Sequence, residues 1–175
     1  MPPTLSKDSS INRVCGDANQ TPLMIASIIG SSRVVENLLS QGADPAMTDK
    51  DGYTALHHSI INKHLGASNA LIEGGADLEA MQRGFGDDGV DGTPLHMAAG
   101  KGFHQGVMTL IDGGANIDSQ VEGGATPLFF AANEGRLNAV RVLLGADANP
   151  LLTAYGSLPL EMAVLNGHQR VVKEL

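Results

Sequence analysis

The segment Gly84-Phe85-Gly86-Asp87-Asp88-Gly89 has the spacing Gly-x-Gly-x-x-Gly, with which a glycine-rich loop brings backbone N–H groups up to a phosphate. Such a loop has to leave an apolar strand and open a helix. This one does neither, and Asp87 and Asp88 would repel the phosphates it should hold, so it is not a nucleotide cradle. The overlapping Asp87-x-Gly89-x-Asp91-Gly92 has part of the pattern of a calcium loop. It lacks the third-position carboxylate, and Ala98 stands where a bidentate Glu should close the site. Histidines 57, 58, 64, 96, 104 and 168 are the groups suited to metal binding or proton transfer near neutral pH. Only His57 and His58 are adjacent, and neighbours on a helix point in different directions, so the pair does not share one ion. Cys15 is the only cysteine, which excludes an intrachain disulfide and a thiolate metal cluster. Asn19-Gln20-Thr21 is formally a glycosylation sequon, but Thr21 is better used as a helix start. With no nucleophile–base pair and no metal cluster, the chain reads as a non-enzyme, with no cofactor and no small-molecule substrate.

The elements that would position any functional group are short and repeated. Aromatic residues make up only 3% of the 175, with no Trp, so the core is filled by Leu, Ile, Val, Ala and Met, which suits small units packed closely. The 22 glycines occur without a low-complexity run, which means many turns at regular places. A formal charge of −8 is the wrong sign for replacing counterions on DNA or RNA and favours basic or apolar protein partners. No run approaches the roughly 20 apolar residues that cross a bilayer, and residues 1–10 lack a signal-like apolar stretch. The expectation is therefore an intracellular protein, cytoplasmic rather than nuclear, without direct membrane insertion.

Thr21-Pro22-Leu23, Thr54-Ala55-Leu56-His57, Thr93-Pro94-Leu95-His96, Thr126-Pro127-Leu128 and Leu158-Pro159-Leu160 begin 33, 39, 33 and 32 residues apart. Gly42-Ala43-Asp44, Gly75-Ala76-Asp77, Gly114-Ala115-Asn116 and Gly145-Ala146-Asp147 keep step with them. Thr accepts a backbone N–H at a helix start, and Pro after it has a preset φ and no donor to orphan. Nine residues on stand Gly30, Gly102, Gly135 and Gly167, suited to the left-handed end of a helix. Val34-Val35 with Leu38-Leu39, and Val171-Val172 with Leu175, recur at helical spacing and predict a second helix. The third repeat has 16 residues from Asp77 to Thr93, against 10 from Asp44 to Thr54, so one connecting loop is longer and, through Glu79, Asp87, Asp88 and Asp91, acidic.

These motifs resemble the ankyrin-repeat family, whose signature contains Thr-Pro-Leu-His-x-Ala at a period of about 33 residues. The resemblance covers residues 11–175 and implies an all-α repeat solenoid: a stack of helix-turn-helix units with projecting finger loops. Its repeats run over about 11–44, 45–77, 78–116, 117–147 and an incomplete 148–175, after an N-terminal tail of 1–10. In this family the histidine of Thr-x-x-His, here His57 and His96, hydrogen-bonds within its own turn. Repeat two departs from the pattern with Ala55, His58, Ser59 and Lys63 and is expected to be the least stable interior unit. Repeat four, read as Leu143-Leu144-Gly145, is expected to lose two residues from its second helix. Repeat five stops at Leu175 before a finger turn, which reads as a chain that continues elsewhere, with residues 158–175 expected to exchange faster than repeats three and four.

Function follows from the resemblance as a non-catalytic protein-binding module. The alternative is a regulatory or targeting segment of a larger enzyme, channel or ubiquitin-ligase component. The family places binding on the concave side, on fingers and first helices. Residues seven and eight after each helix start are then the candidates: Ile28 and Ile29, Ile61 and Asn62, Lys101, Asn133 and Glu134, Leu165 and Asn166. Lys50, Asp51, Tyr53, Glu122 and Tyr155 on the fingers are expected to flank them, with Arg83, Phe85, Asp87 and Asp88 forming an accessory finger.

Overall fold

The structure, a computed structural model, describes residues 10–82 and 92–175. Arg83, Phe85, Asp87 and Asp88 of the accessory finger, and most of the tail, lie outside the described residues. The chain divides into two compact units, Met1–Asp77 and Leu78–Leu175.

The N-terminal unit contains α1 (Pro22–Ile29), α2 (Ser32–Ser40), α3 (Ala55–Ile61) and α4 (Leu65–Glu73). The C-terminal unit contains α5 (Pro94–Gly100), α6 (His104–Asp112), α7 (Pro127–Asn133), α8 (Leu137–Gly145), α9 (Pro159–Leu165) and α10 (Gln169–Val172). Each first helix packs on its own second helix. Within each unit, first helices also pack on first helices (α1 on α3; α5 on α7 on α9) and second on second (α2 on α4; α6 on α8 on α10). Each unit is thus an all-α repeat stack, and among the described residues β-structure is confined to isolated bridges. No described helix is long and apolar enough to cross a membrane.

The start and stop signals act where the spacing puts them. Thr21, Thr54 and Thr126 accept the N–H of Met24, His57 and Phe129 at 3.3, 3.4 and 3.2 Å. Gly30, Gly102, Gly135 and Gly167 close the first helices at φ 82°, 67°, 68° and 72°. Lys63 takes the same slot in repeat two at φ 58°, in a conformation that costs a side chain more than it costs glycine. The same repeat buries two facing hydroxyls, Ser59 and Ser68, 2.9 Å apart, at positions held by Ala and Val in the other repeats.

Repeat four is not shortened. Its second helix, α8, has nine residues, as do α2, α4 and α6. Gly145 is the last helical residue, and the turn falls two positions later, at Asp147-Ala148-Asn149. The backbone fixes this register: Ala148 N–H donates to Leu143 C=O at 3.0 Å, as Ala43 donates to Leu38 at 3.0 Å, and Asp147 at φ 65° fills the slot of Gly42 at φ 90°. Asp is among the few side chains that enter the left-handed region easily, so the turn survives without glycine. This register makes two glycines of similar local sequence behave oppositely. Gly42→Ala is expected to lower the stability of its unit by about 1 kcal/mol because its φ is positive. Gly145→Ala is expected to raise it by about 0.5 kcal/mol, since an alanine there only removes unfolded-state entropy. Urea unfolding of the two variants measures both; a loss at Gly145 as large as that at Gly42 would return the turn to the shorter register.

Candidate functional site

In the N-terminal unit the ends of the first helices offer an uneven apolar surface. Ile29 is 69% exposed, whereas Ile28 and Ile61 are half-buried. The Ile28 carbonyl is held by His64 Nε2 at 3.0 Å, and Asn62, exposed, donates its side-chain N–H to His58 C=O at 2.8 Å. Lys50 and Asp51 are exposed at the tip of the finger, and Lys50 N–H donates to Ala18 C=O at 3.1 Å.

Tyr53 corrects the expectation of a flanking surface aromatic, because it is only 8% exposed. It sits at the base of the finger, where Asp49 N–H donates to Tyr53 C=O at 3.0 Å, and its ring lies edge-on to His57 at 6.0 Å and tilted over His58 at 5.6 Å. The sequence held a signal for this. In repeats two to four the residue just before the buried capping Thr is carried inward with it, as Gly92 and Ala125 are in the other unit.

In the C-terminal unit Lys101 and Asn133 are half-buried, and Glu122, Glu134 and Asn166 are exposed. Leu165 and Tyr155 are each 74% exposed. Tyr155 is nonetheless held rigidly: its hydroxyl donates to Glu122 C=O and its N–H to Gly123 C=O, both at 2.9 Å. Its ring covers Gly123 so closely that a Cβ there would lie 2.2 Å from it. Asn166 Nδ2 donates to Asn133 Oδ1 at 3.0 Å, and Asn133 Nδ2 to Glu134 Oε1 at 3.0 Å, making a short amide ladder along the helix ends.

Sequence reasoning missed the residue ten positions after the helix starts of repeats two, four and five. His64 Nε2, Arg136 Nε and His168 Nε2 donate to the carbonyls of Ile28, Gly100 and Asn133, at 3.0, 2.8 and 2.9 Å. Each ties a second helix to the end of the first helix of the preceding repeat, and all three residues carry a ring or guanidinium N–H. That shared donor was the available signal.

His96 is buried in its own turn: Nδ1 accepts the Thr93 N–H at 3.3 Å, and Nε2 donates to Ala125 C=O at 3.1 Å. Burial pushes its pKa down to about 4, against a smaller upward pull from the backbone carbonyls of Ala125 and Ser119. It is a neutral strut with both nitrogens engaged. Among the described residues no three His, Cys, Asp or Glu side chains lie close enough to hold a metal ion.

Residues 4–82 and 95–175 match the profile of the family described as "Ankyrin repeats (3 copies)". The chain is 32% identical over 169 residues to mouse "B-cell lymphoma 3 protein homolog", a match that covers 93% of this chain and 36% of that protein. It is 31% identical over 176 residues to human "Transient receptor potential cation channel subfamily A member 1", covering 98% of this chain and 16% of the channel. A third relative is "Palmitoyltransferase AKR1" of Lachancea kluyveri, 33% identical over 149 residues that cover 82% of this chain and 19% of that protein. The chain therefore spans about a third or less of each of these relatives.

Proposed function

Because the chain belongs to the ankyrin-repeat family, a non-catalytic fold of protein-interaction repeats, we propose that it binds another protein on the finger loops and the ends of the first helices. In the N-terminal unit the contact residues are Ile28, Ile29, Ile61 and Asn62, with Lys50 and Asp51 on the finger. In the C-terminal unit they are Lys101, Asn133, Glu134, Leu165 and Asn166, with Glu122 and Tyr155 on the finger.

One observation carries the reading. Ile29, Leu165 and Tyr155 are large apolar or aromatic side chains more than two-thirds exposed; Ile29 and Leu165 are the last residues of α1 and α9, and the N–H and hydroxyl of Tyr155 are both hydrogen-bonded, so little backbone ordering entropy remains to be lost on binding. The net charge of −8 supports a basic or apolar protein rather than a nucleic acid as partner. Cys15, free and exposed, supports a reducing intracellular setting.

A second reading rests on the comparisons. Since its relatives are several times longer, the chain is a regulatory or targeting segment of a larger protein and serves that protein by the same binding.

Crosslinking mass spectrometry on the captured complex identifies the partner, after which affinity tests the face. Ile29→Asp and Leu165→Asp are each expected to weaken binding by about 1 kcal/mol or more while unfolding stays unchanged. Glu36→Lys, exposed on α2, is expected to leave binding intact. If the Glu36 change abolished binding and the other two did not, the partner would sit on the second helices instead.

A further inference from the structure

Fourth after each helix start, the other repeats carry Ile25, Met97, Phe130 and Met162, all apolar, whereas repeat two carries His58. Its Nε2 lies 2.8 Å from Asp49 Oδ2, and the two side chains are only 12% and 3% exposed. A carboxylate offers no proton, so the imidazole donates. The other carboxylate oxygen, Asp49 Oδ1, accepts the N–H of Asp51 at 3.0 Å and of Tyr53 at 2.9 Å. One buried carboxylate thus gathers both flanks of the finger tip, and the helix grips it from below. Tyr53, tilted over the imidazole at 5.6 Å, shields the pair from water.

We propose that His58 is a positioning residue which, through Asp49, fixes the finger of repeat two and so aims Lys50 and Asp51. This rests on the binding role given to those two residues above only for its consequence; the latch itself is a property of the free chain. A finger held by turn hydrogen bonds alone opens locally at small cost, because its backbone is exposed and few apolar contacts close it. A hydrogen bond from α3 to a desolvated carboxylate raises that cost, since breaking it takes from Oδ2 of the buried carboxylate the N–H that it accepts.

Amide hydrogen exchange on the free, full chain tests the latch. In His58→Leu, which restores the apolar residue type of the other repeats, the amides of Asp51 and Tyr53 are expected to exchange about tenfold faster, the scale of one hydrogen bond to a charged group. Amides within α3 and α4 are expected to change less than about twofold on the same scale. His58→Gln, whose side-chain N–H can still reach Asp49, is expected to recover most of the protection. A second measurement leaves position 58 intact: the ring N–H proton of His58 is expected to move upfield in Asp49→Ala. Unchanged protection of Asp51 and Tyr53 in His58→Leu overturns the proposal, as does a loss spread equally over α3 and α4, or a glutamine that rescues nothing. A failure of Lys50 or Asp51 substitutions to affect partner binding would count against the binding role and leave the latch standing.

Discussion

Between pH 7 and pH 5 the stability of the unit spanning 78–175 is expected to fall by about 2 kcal/mol, most of it through His96. Folded, this imidazole holds a pKa of about 4, and unfolded it returns to 6.5. Between those values the unfolded chain takes up a proton that the folded chain refuses. The stability contributed by the neutral ring is complete above pH 6.5 and is lost as pH falls toward 4, at about 1.4 kcal/mol per pH unit. The refusal is geometric as well as dielectric. Protonation at Nδ1 would end its acceptance of the Thr93 N–H at 3.3 Å and leave only the Thr93 hydroxyl, 2.9 Å away, to receive the new N–H. Urea unfolding at the two pH values measures the drop, above the range where ordinary carboxylates titrate. His96→Gln is expected to be less stable at pH 7 and to lose most of the pH dependence. A variant as pH-sensitive as the parent would move the linkage to another group.

Which parts of this could be seen in the sequence depended on how local their causes are. The period, the helix starts and the stops at Gly30, Gly102, Gly135 and Gly167 were legible because each is set by a residue acting on its own turn. The register of repeat four is not legible in the sequence, because Gly145-Ala146-Asp147 copies a turn motif two residues too early. What decides the turn is the hydrogen bond from Ala148 to Leu143, and no residue type announces it. The surface candidates came out mixed for a related reason. Ile29, Leu165 and Tyr155 are exposed, but Ile28 and Tyr53 turn inward, because phase on a seven- or eight-residue helix and at a finger base is set by what packs there. The ties from His64, Arg136 and His168 reach carbonyls 35 or 36 residues away, and single-sequence spacing does not reveal such partners. His58 stands out by its type in the sequence, whereas Asp49, nine residues before it, does not, since the two meet only when the finger folds back on α3.

The largest stability effect is expected at Leu128, and its counterpart in the next repeat isolates the cause. Leu23, Leu56, Leu95 and Leu128 stand second after their helix starts and are at most 1% exposed; Leu160 stands at the same place and is 37% exposed. Leu128 lies on α7, which packs on α5, α9 and its own second helix α8, so truncating it removes contacts on several sides at once. Leu128→Ala is therefore expected to cost about 3 kcal/mol, the sum of lost transfer energy and a cavity that the backbone cannot close. At Leu160 part of that surface already faces water, so the transfer loss shrinks and solvent fills the gap. Leu160→Ala is expected to cost no more than about 1 kcal/mol on the same scale. Parallel urea melts of the two variants, with amide exchange in α7 and α9, distinguish a positional effect from an intrinsic one. Equal costs would mean that the leucine stabilises each helix pair from within, and that packing between neighbouring pairs contributes little to the stack.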